Sequence, residues 1–195
     1  MLFRSQQVTE AAFNLLDSHD TPRLLTICKD NEQKMKLAAL FQLTFPGTPC
    51  IYYGDEFGMN GERDPDCRKC MVWEPEAQNQ ELLHFYKNVI SLRNTYKALR
   101  SSDISFTYVS QLEDDGTLVY ERRDGEERLR IALNARQEAR QLVLANEAEA
   151  GWNVLLAEGG AEYIANSDPT TAVSTLSLSL PAYSFIVLKA TNKTR

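Results

Sequence analysis

At Ser101 the hydrophobic pattern of the chain changes period. Just before it, from about Asn79 to Tyr96, Leu82, Leu83, Phe85, Tyr86, Val89, Ile90 and Leu92 recur at three- and four-residue spacing, which places them along one face of a helix. After it, apolar residues alternate with polar ones: Leu118-Tyr120, Leu129-Ile131-Leu133, Leu142-Leu144, Val154 to Leu156, Leu176-Leu178-Leu180 and Phe185-Val187. A period of two belongs to half-buried strands, and a helical period cannot be satisfied in the same element. The change predicts two domains, residues 1–100 and residues 101–195. Asp115-Gly116 and Asp124-Gly125 are hairpin signals and Gly159-Gly160 is a further break, so the second domain is expected to be an antiparallel β-sandwich of roughly seven or eight short strands.

The first domain reads as strand, helix, strand, long loop, helix. From Phe13 a short apolar run leads to a His-Asp pair just ahead of Pro22, so Phe13 to Thr21 is expected to be a buried strand with His19 and Asp20 at its carboxyl end. Asp30 or Asn31 can cap a helix over residues 31–45, which Pro46-Gly47 ends, and Cys50 to Tyr53 forms the next strand. Residues 54–78 lack periodicity, and a loop of that length in a compact domain is either functional or disordered. Sheets of this class carry their chemistry at strand carboxyl ends, which draws attention to His19 and Asp20. Taken singly, an Asp there is by default a turn former and a His a satisfied structural residue.

Composition excludes several functions. A net charge of -6 without any dense Lys/Arg run argues against nucleic-acid partners and against an anionic membrane surface. Met1 to Gln7 lacks the apolar core of a signal peptide and no later run approaches a membrane span, so a cytoplasmic location is expected. Cys28, Cys50, Cys67 and Cys70 are too few and too scattered for a disulfide scaffold. Cys67-Arg68-Lys69-Cys70 has the spacing of a zinc or redox site but lacks a second ligand pair, so no metal and no cofactor are expected; metal analysis finding zinc would reverse that.

Several motifs in order resemble the α-amylase family of glycoside hydrolases, most closely its neopullulanase, cyclomaltodextrinase and maltogenic amylase branch. They are Phe13-Asn14-Leu15-Leu16 with Ser18-His19-Asp20-Thr21, then Pro49 with Ile51-Tyr52-Tyr53-Gly54-Asp55-Glu56 and Gly58-Met59, then Asp64-Pro65 with Arg68, Met71 and Trp73. The resemblance implies an α/β plus all-β chain: the last two β/α units, strands 7 and 8 with their helices, of a (β/α)8 TIM barrel, followed by the β-sandwich.

It further implies that Asp20 is the carboxylate that stabilises the transition state, that His19 binds the sugar beside the cleavage point, and that Asp64 with Arg68 binds glucose on the donor side. The substrates implied are maltooligosaccharides, cyclodextrins, pullulan or a related α-glucan, cleaved at α-1,4 and in part α-1,6 bonds with retention. Retention needs a nucleophile and a general acid. In the family both come from strands upstream of anything in this chain, so the chain by itself is expected to be inactive and to need the missing N-terminal barrel segment, or to self-associate through exposed barrel edges. Asp55, Glu56 and Asp66 are loop acids, by default solvated. Trp73 and the Tyr52-Tyr53 pair could stack on sugar faces, with at least one tyrosine expected in the core. The rival reading is a non-catalytic glucan-binding or interaction module, which would bind maltooligosaccharide saturably without hydrolysing it.

Overall fold

In the computed structural model, which describes residues 6–109, 116–146, 151–168 and 173–191, the chain divides between Ser102 and Asp103 into two units. The first contains α1 (Gln6–Glu10), β1 (Phe13–Asn14), α2 (Leu24–Ile27), α3 (Glu32–Thr44), β2 (Thr48–Pro49) and α4 (Gln80–Thr95), with short 3-10 turns at Asp55–Phe57, Asp66–Arg68, Pro75–Ala77 and Lys97–Arg100. Asn31 caps α3, its side chain accepting the N–H of Lys34, and Asn79 caps α4 by accepting that of Leu82. Phe45 is extended because Pro46 follows it, and there α3 stops.

The helix α3 is buried nearly all round. Met35, Leu37, Leu40 and Leu43 are core residues, and Gln42, which falls among the apolar positions, is buried too. Its amide donates to the carbonyls of Asn14 (3.0 Å) and Cys50 (2.8 Å), tying together the carboxyl ends of β1 and β2. Those strands are parallel, pairing Phe13 with Thr48 and Asn14 with Pro49.

Neither strand follows its apolar run: β1 ends at Asn14 rather than Thr21, and β2 lies at Thr48–Pro49, ahead of the Cys50 to Tyr53 run expected to form it. After Asn14 the chain turns so that Asp17, not an apolar side chain, is buried, while Phe13 and Leu15 stay 64% and 48% exposed. Ladder hydrogen bonding between β1 and β2 continues to Cys50, whose N–H reaches Asn14 O at 2.8 Å, and then yields to the packing of Tyr52 and Tyr53 around Arg23.

The turn between α3 and β2 depends on Gly47, at φ +116°, where an added Cβ would lie 2.6 Å from Ala12 O and 2.7 Å from the Asn14 amide. Gly47→Ala is therefore expected to lower stability by roughly 1–3 kcal/mol in denaturant unfolding, and an unchanged midpoint would contradict this packing.

The second unit is wholly β: β3 (Ile104–Val109), β4 (Thr117–Asp124), β5 (Glu127–Asn134), β6 (Arg140–Ala145), β7 (Gly151–Glu158), β8 (Glu162–Asp168), β9 (Val173–Leu180) and β10 (Ser184–Thr191). Five strands in the order β3-β4-β5-β10-β7 form one antiparallel sheet, and β6-β9-β8 form another. Val119, Ala132, Ile186 and Leu188 of the first sheet share one apolar core with Leu142, Leu176, Leu178 and Leu180 of the second. The alternation seen in sequence is that inward face in β6 and β9, whereas in β4, β5 and β10 it marks the opposite face, where Tyr120, Leu129, Ile131, Phe185 and Val187 are buried as well. The β4–β5 hairpin turns at Gly125, φ +57°, as Asp124-Gly125 predicts; Asp115 of the other hairpin signal lies outside the described residues.

Where the sheet runs out of apolar residues, it buries charge. Glu121, 1% exposed, accepts hydrogen bonds from Arg128 Nε (2.7 Å), Arg123 Nη2 (2.8 Å) and Arg130 Nε (2.8 Å). The Arg128 and Arg130 guanidinium groups also lie 5.3 and 4.8 Å from the Trp152 ring centre.

Candidate active site

The site is built from two loops of the first unit. Buried Asp17 accepts the N–H of Leu24 at 2.8 Å, which starts α2 and closes the segment between them into a loop. Within it, Thr21 N–H donates to Ser18 O (3.3 Å), Ser18 N–H to Thr21 Oγ1 (3.0 Å) and Asp20 N–H to Ser18 Oγ (3.2 Å). Ser18 and Thr21 thus saturate the turn locally. His19 and Asp20 are left at its apex, their side chains 62% and 70% exposed and 3.3 Å apart between Nε2 and Oδ2.

The second loop is pinned to the first by backbone bonds. Arg23 N–H donates to Gly61 O at 2.9 Å, and Gly61 N–H to Thr26 Oγ1 at 2.8 Å. Asp66 Oδ2 takes the N–H of Glu62 at 2.7 Å and its other oxygen holds Lys69 Nζ at 3.2 Å, which folds residues 62–69 into a tight turn. Arg68 then reaches across: Nε lies 3.0 Å from His19 O and 3.0 Å from Asp64 Oδ1, and Nη2 lies 3.4 Å from Asp20 Oδ1.

His19, Asp20, Asp64 and Arg68 are therefore one exposed cluster, although nearly fifty residues separate its halves. Two carboxylates, an imidazole and a guanidinium on one surface can accept from and donate to neighbouring hydroxyls at once. Trp73 is 74% exposed on the same unit, and no described contact draws it into the cluster. Tyr52 and Tyr53 flank Arg23, their ring centres 4.7 and 4.5 Å from its guanidinium carbon, and Tyr53 Oη donates to Lys69 O at 2.7 Å.

Sequence reasoning missed the layer beneath. Asp55 is not the solvated loop acid expected: it is 2% exposed, and Arg23 beside it is fully buried, Nη1 to Oδ1 3.8 Å. In sequence nothing separates it from the other acids of that loop. Cys67 is buried, its Sγ donating to His19 O at 3.2 Å, whereas Cys70 is exposed, so the two thiols have different surroundings. Among the described residues no group of three or more His, Cys, Asp or Glu is placed to hold a metal ion, and no helix is long and apolar enough to cross a membrane.

Residues 2–79 match the family model described as Alpha amylase, catalytic domain. The chain is similar to the Cyclomaltodextrinase of Geobacillus thermopakistaniensis (strain MAS1), 48% identical over 182 residues, 93% of this chain and 29% of that protein. It is also similar to Neopullulanase 2 of Thermoactinomyces vulgaris, 42% identical over 146 residues, 75% of this chain and 24% of that one. A solved Cyclomaltodextrinase structure superposes with TM-score 0.80 at 35% identity, covering 95% of this chain and 30% of its own. The chain thus spans less than a third of the length of these relatives.

Proposed function

Because the chain belongs to the alpha-amylase family of glycoside hydrolases, we propose that it is the C-terminal share of an α-glucan hydrolase of the neopullulanase and cyclomaltodextrinase kind. In this reading its first unit supplies the last two β/α units of a (β/α)8 barrel and its second unit the β-sandwich. Asp20 stabilises the positive charge that develops on the sugar ring, His19 holds the sugar at the cleavage point, and Asp64 and Arg68 grip a donor-side glucose. The observation that carries the reading is the Arg68 guanidinium, which links Asp64, Asp20 and the His19 carbonyl across two loops.

The chemistry follows from that arrangement. Departure of the glycosidic oxygen leaves an oxocarbenium-like ring, and an ionised carboxylate beside it is worth most where charge is developing. Asp20 is fixed for that role from both sides, by His19 and by Arg68. Cleavage with retention draws its nucleophile and general acid from outside these 195 residues, so this chain binds and orients glucan without hydrolysing it. The remaining barrel segment is the proposed partner, covering the side where Phe13 and Leu15 are exposed, with self-association through the same edge in its absence. Four free cysteines support a reducing, cytoplasmic setting.

Calorimetric titration with maltotriose tests the reading. Arg68→Ala removes charged hydrogen bonds of roughly 1.5–3 kcal/mol, so affinity is expected to fall about tenfold or more, with Asp64→Ala following it. Equal affinity in wild type and both variants would remove the cluster from the binding site.

A further inference from the structure

Beneath the exposed cluster lie two carboxyl groups that a sugar cannot reach. Asp17 and Asp55 are 4% and 2% exposed and hydrogen-bond to each other. Arg23 faces them with Nη1 spent on Tyr53 O at 2.7 Å and 3.8 Å from Asp55 Oδ1, while its Nε and Nη2 and the Asp55 Oδ1 have no hydrogen-bond partner. Glu56, on the same turn as Asp55, accepts the Gly54 N–H at 2.8 Å. From α4 the buried Tyr86 faces the acids, its phenol pushed up by burial first and then by Asp55, Asp17 and Glu56.

Charge counting decides the protonation state. One guanidinium cannot neutralise both Asp17 and Asp55 in a dry site with the half-buried Glu56 beside it, and two carboxyl groups can hydrogen-bond only if one carries a proton. Burial, then the hydrogen bond and charge of Asp17, push Asp55 up to about 9 against the pull of Arg23.

Asp17 and Arg23 bracket the segment that contains the His19–Asp20 turn, and Asp55 meets both. We infer that Asp55 is a positioning residue: as a neutral carboxylic acid bonded to Asp17 and set against Arg23, it clamps both ends of that turn onto the loop that follows β2. Its consequence for sugar binding rests on the function proposed above; the clamp itself does not.

The sign of the pH dependence follows by linkage. Asp55 binds its proton more tightly in the clamped state than when the turn opens to water, where its ordinary value near 3.8 returns. The clamp is therefore strongest below about pH 4, weakens by up to tenfold per pH unit above that, and is flat beyond about pH 9.

Amide exchange of the full chain without sugar, corrected for intrinsic rates, tests this between pH 5 and pH 9. Protection of the Thr21 and Leu24 amides is expected to fall at least tenfold in wild type. In Asp55→Asn, which keeps a neutral side chain that can donate to Asp17, it should stay within about twofold across the range, and in Asp55→Ala it should be low throughout. A flat wild type, or an Asn variant with the wild-type slope, would overturn the clamp. Should Asp55→Asn not fold, carboxyl-carbon titration of Asp55 by NMR decides: no titration between pH 4 and pH 7 is expected, and an ordinary midpoint near pH 4 overturns it. Maltotriose titration alongside separates the two ideas. A slope that vanishes in the Asn variant without sugar binding keeps the clamp and sinks the glucan reading; sugar binding with identical slopes does the reverse.

Discussion

Arg93→Met is expected to remove roughly 3–5 kcal/mol from the stability of the first unit. Arg93 is 9% exposed on α4 and donates to four carbonyls: Leu43 (2.8 Å), Phe45 (3.2 Å) and Leu99 (2.8 Å) from Nη1 and Gly47 (2.5 Å) from Nη2. Those oxygens end α3, form the turn into β2 and close the 3-10 turn after α4, so one side chain gathers three chain ends. Methionine fills much of the volume but leaves the carbonyls buried and unsatisfied, and that asymmetry makes the effect large. Denaturant unfolding monitored by exchange of amides within residues 24–49 measures it, and a loss under about 1 kcal/mol would mean that water replaces the guanidinium.

Glu121→Ala is expected to cost the second unit a similar roughly 3–5 kcal/mol, because it strands buried cations. Burial alone would push the Glu121 carboxyl up, but hydrogen bonds from Arg128 and Arg123 and the charge of Arg130 outweigh it and hold it down at about 2. Its folded value lies below the ordinary 4.5, so its stabilising contribution is present above about pH 4.5 and is lost as pH falls toward 2. Over that window the wild type should lose up to roughly 3 kcal/mol. Glu121→Gln keeps a hydrogen-bonding side chain but not the charge, so it should be destabilised at neutral pH yet lack this acid limb. An acid limb that persists in Glu121→Gln would assign it to other carboxylates.

These two residues also mark where sequence was readable and where it was not. The alternation of Leu176, Leu178 and Leu180 locates a strand because its period comes from burial on one face. The edge strands β3 and β8 carry weaker alternation, with Phe106 and Ile164 46% and 63% exposed, and neither falls among the runs read from sequence. Arg93 and Glu121 look like ordinary surface charges in sequence, since a buried charge shows itself only through partners brought by the fold; Arg93 bonds carbonyls as far as fifty residues away. His19 and Asp20 could be singled out from a strand end followed by Pro22, and Asp64 and Arg68 from linked motifs, but Asp17, Arg23 and Asp55 could not. The turn that presents the first pair reads as a strand end in sequence, because the Ser18 and Thr21 hydrogen bonds that close it are visible only in the fold; the buried acids that hold it likewise appear only once residue 55 meets residues 17 and 23.

The most direct test of the central claim, that the His19, Asp20, Asp64 and Arg68 cluster grips glucose units, is amide exchange by mass spectrometry with and without saturating maltotriose. The account predicts added protection over residues 18–23 and 61–68 together, since Arg68 bridges both loops, with residues 116–146 unchanged. Protection gained elsewhere while both loops stay the same, or no change at any concentration, would contradict it.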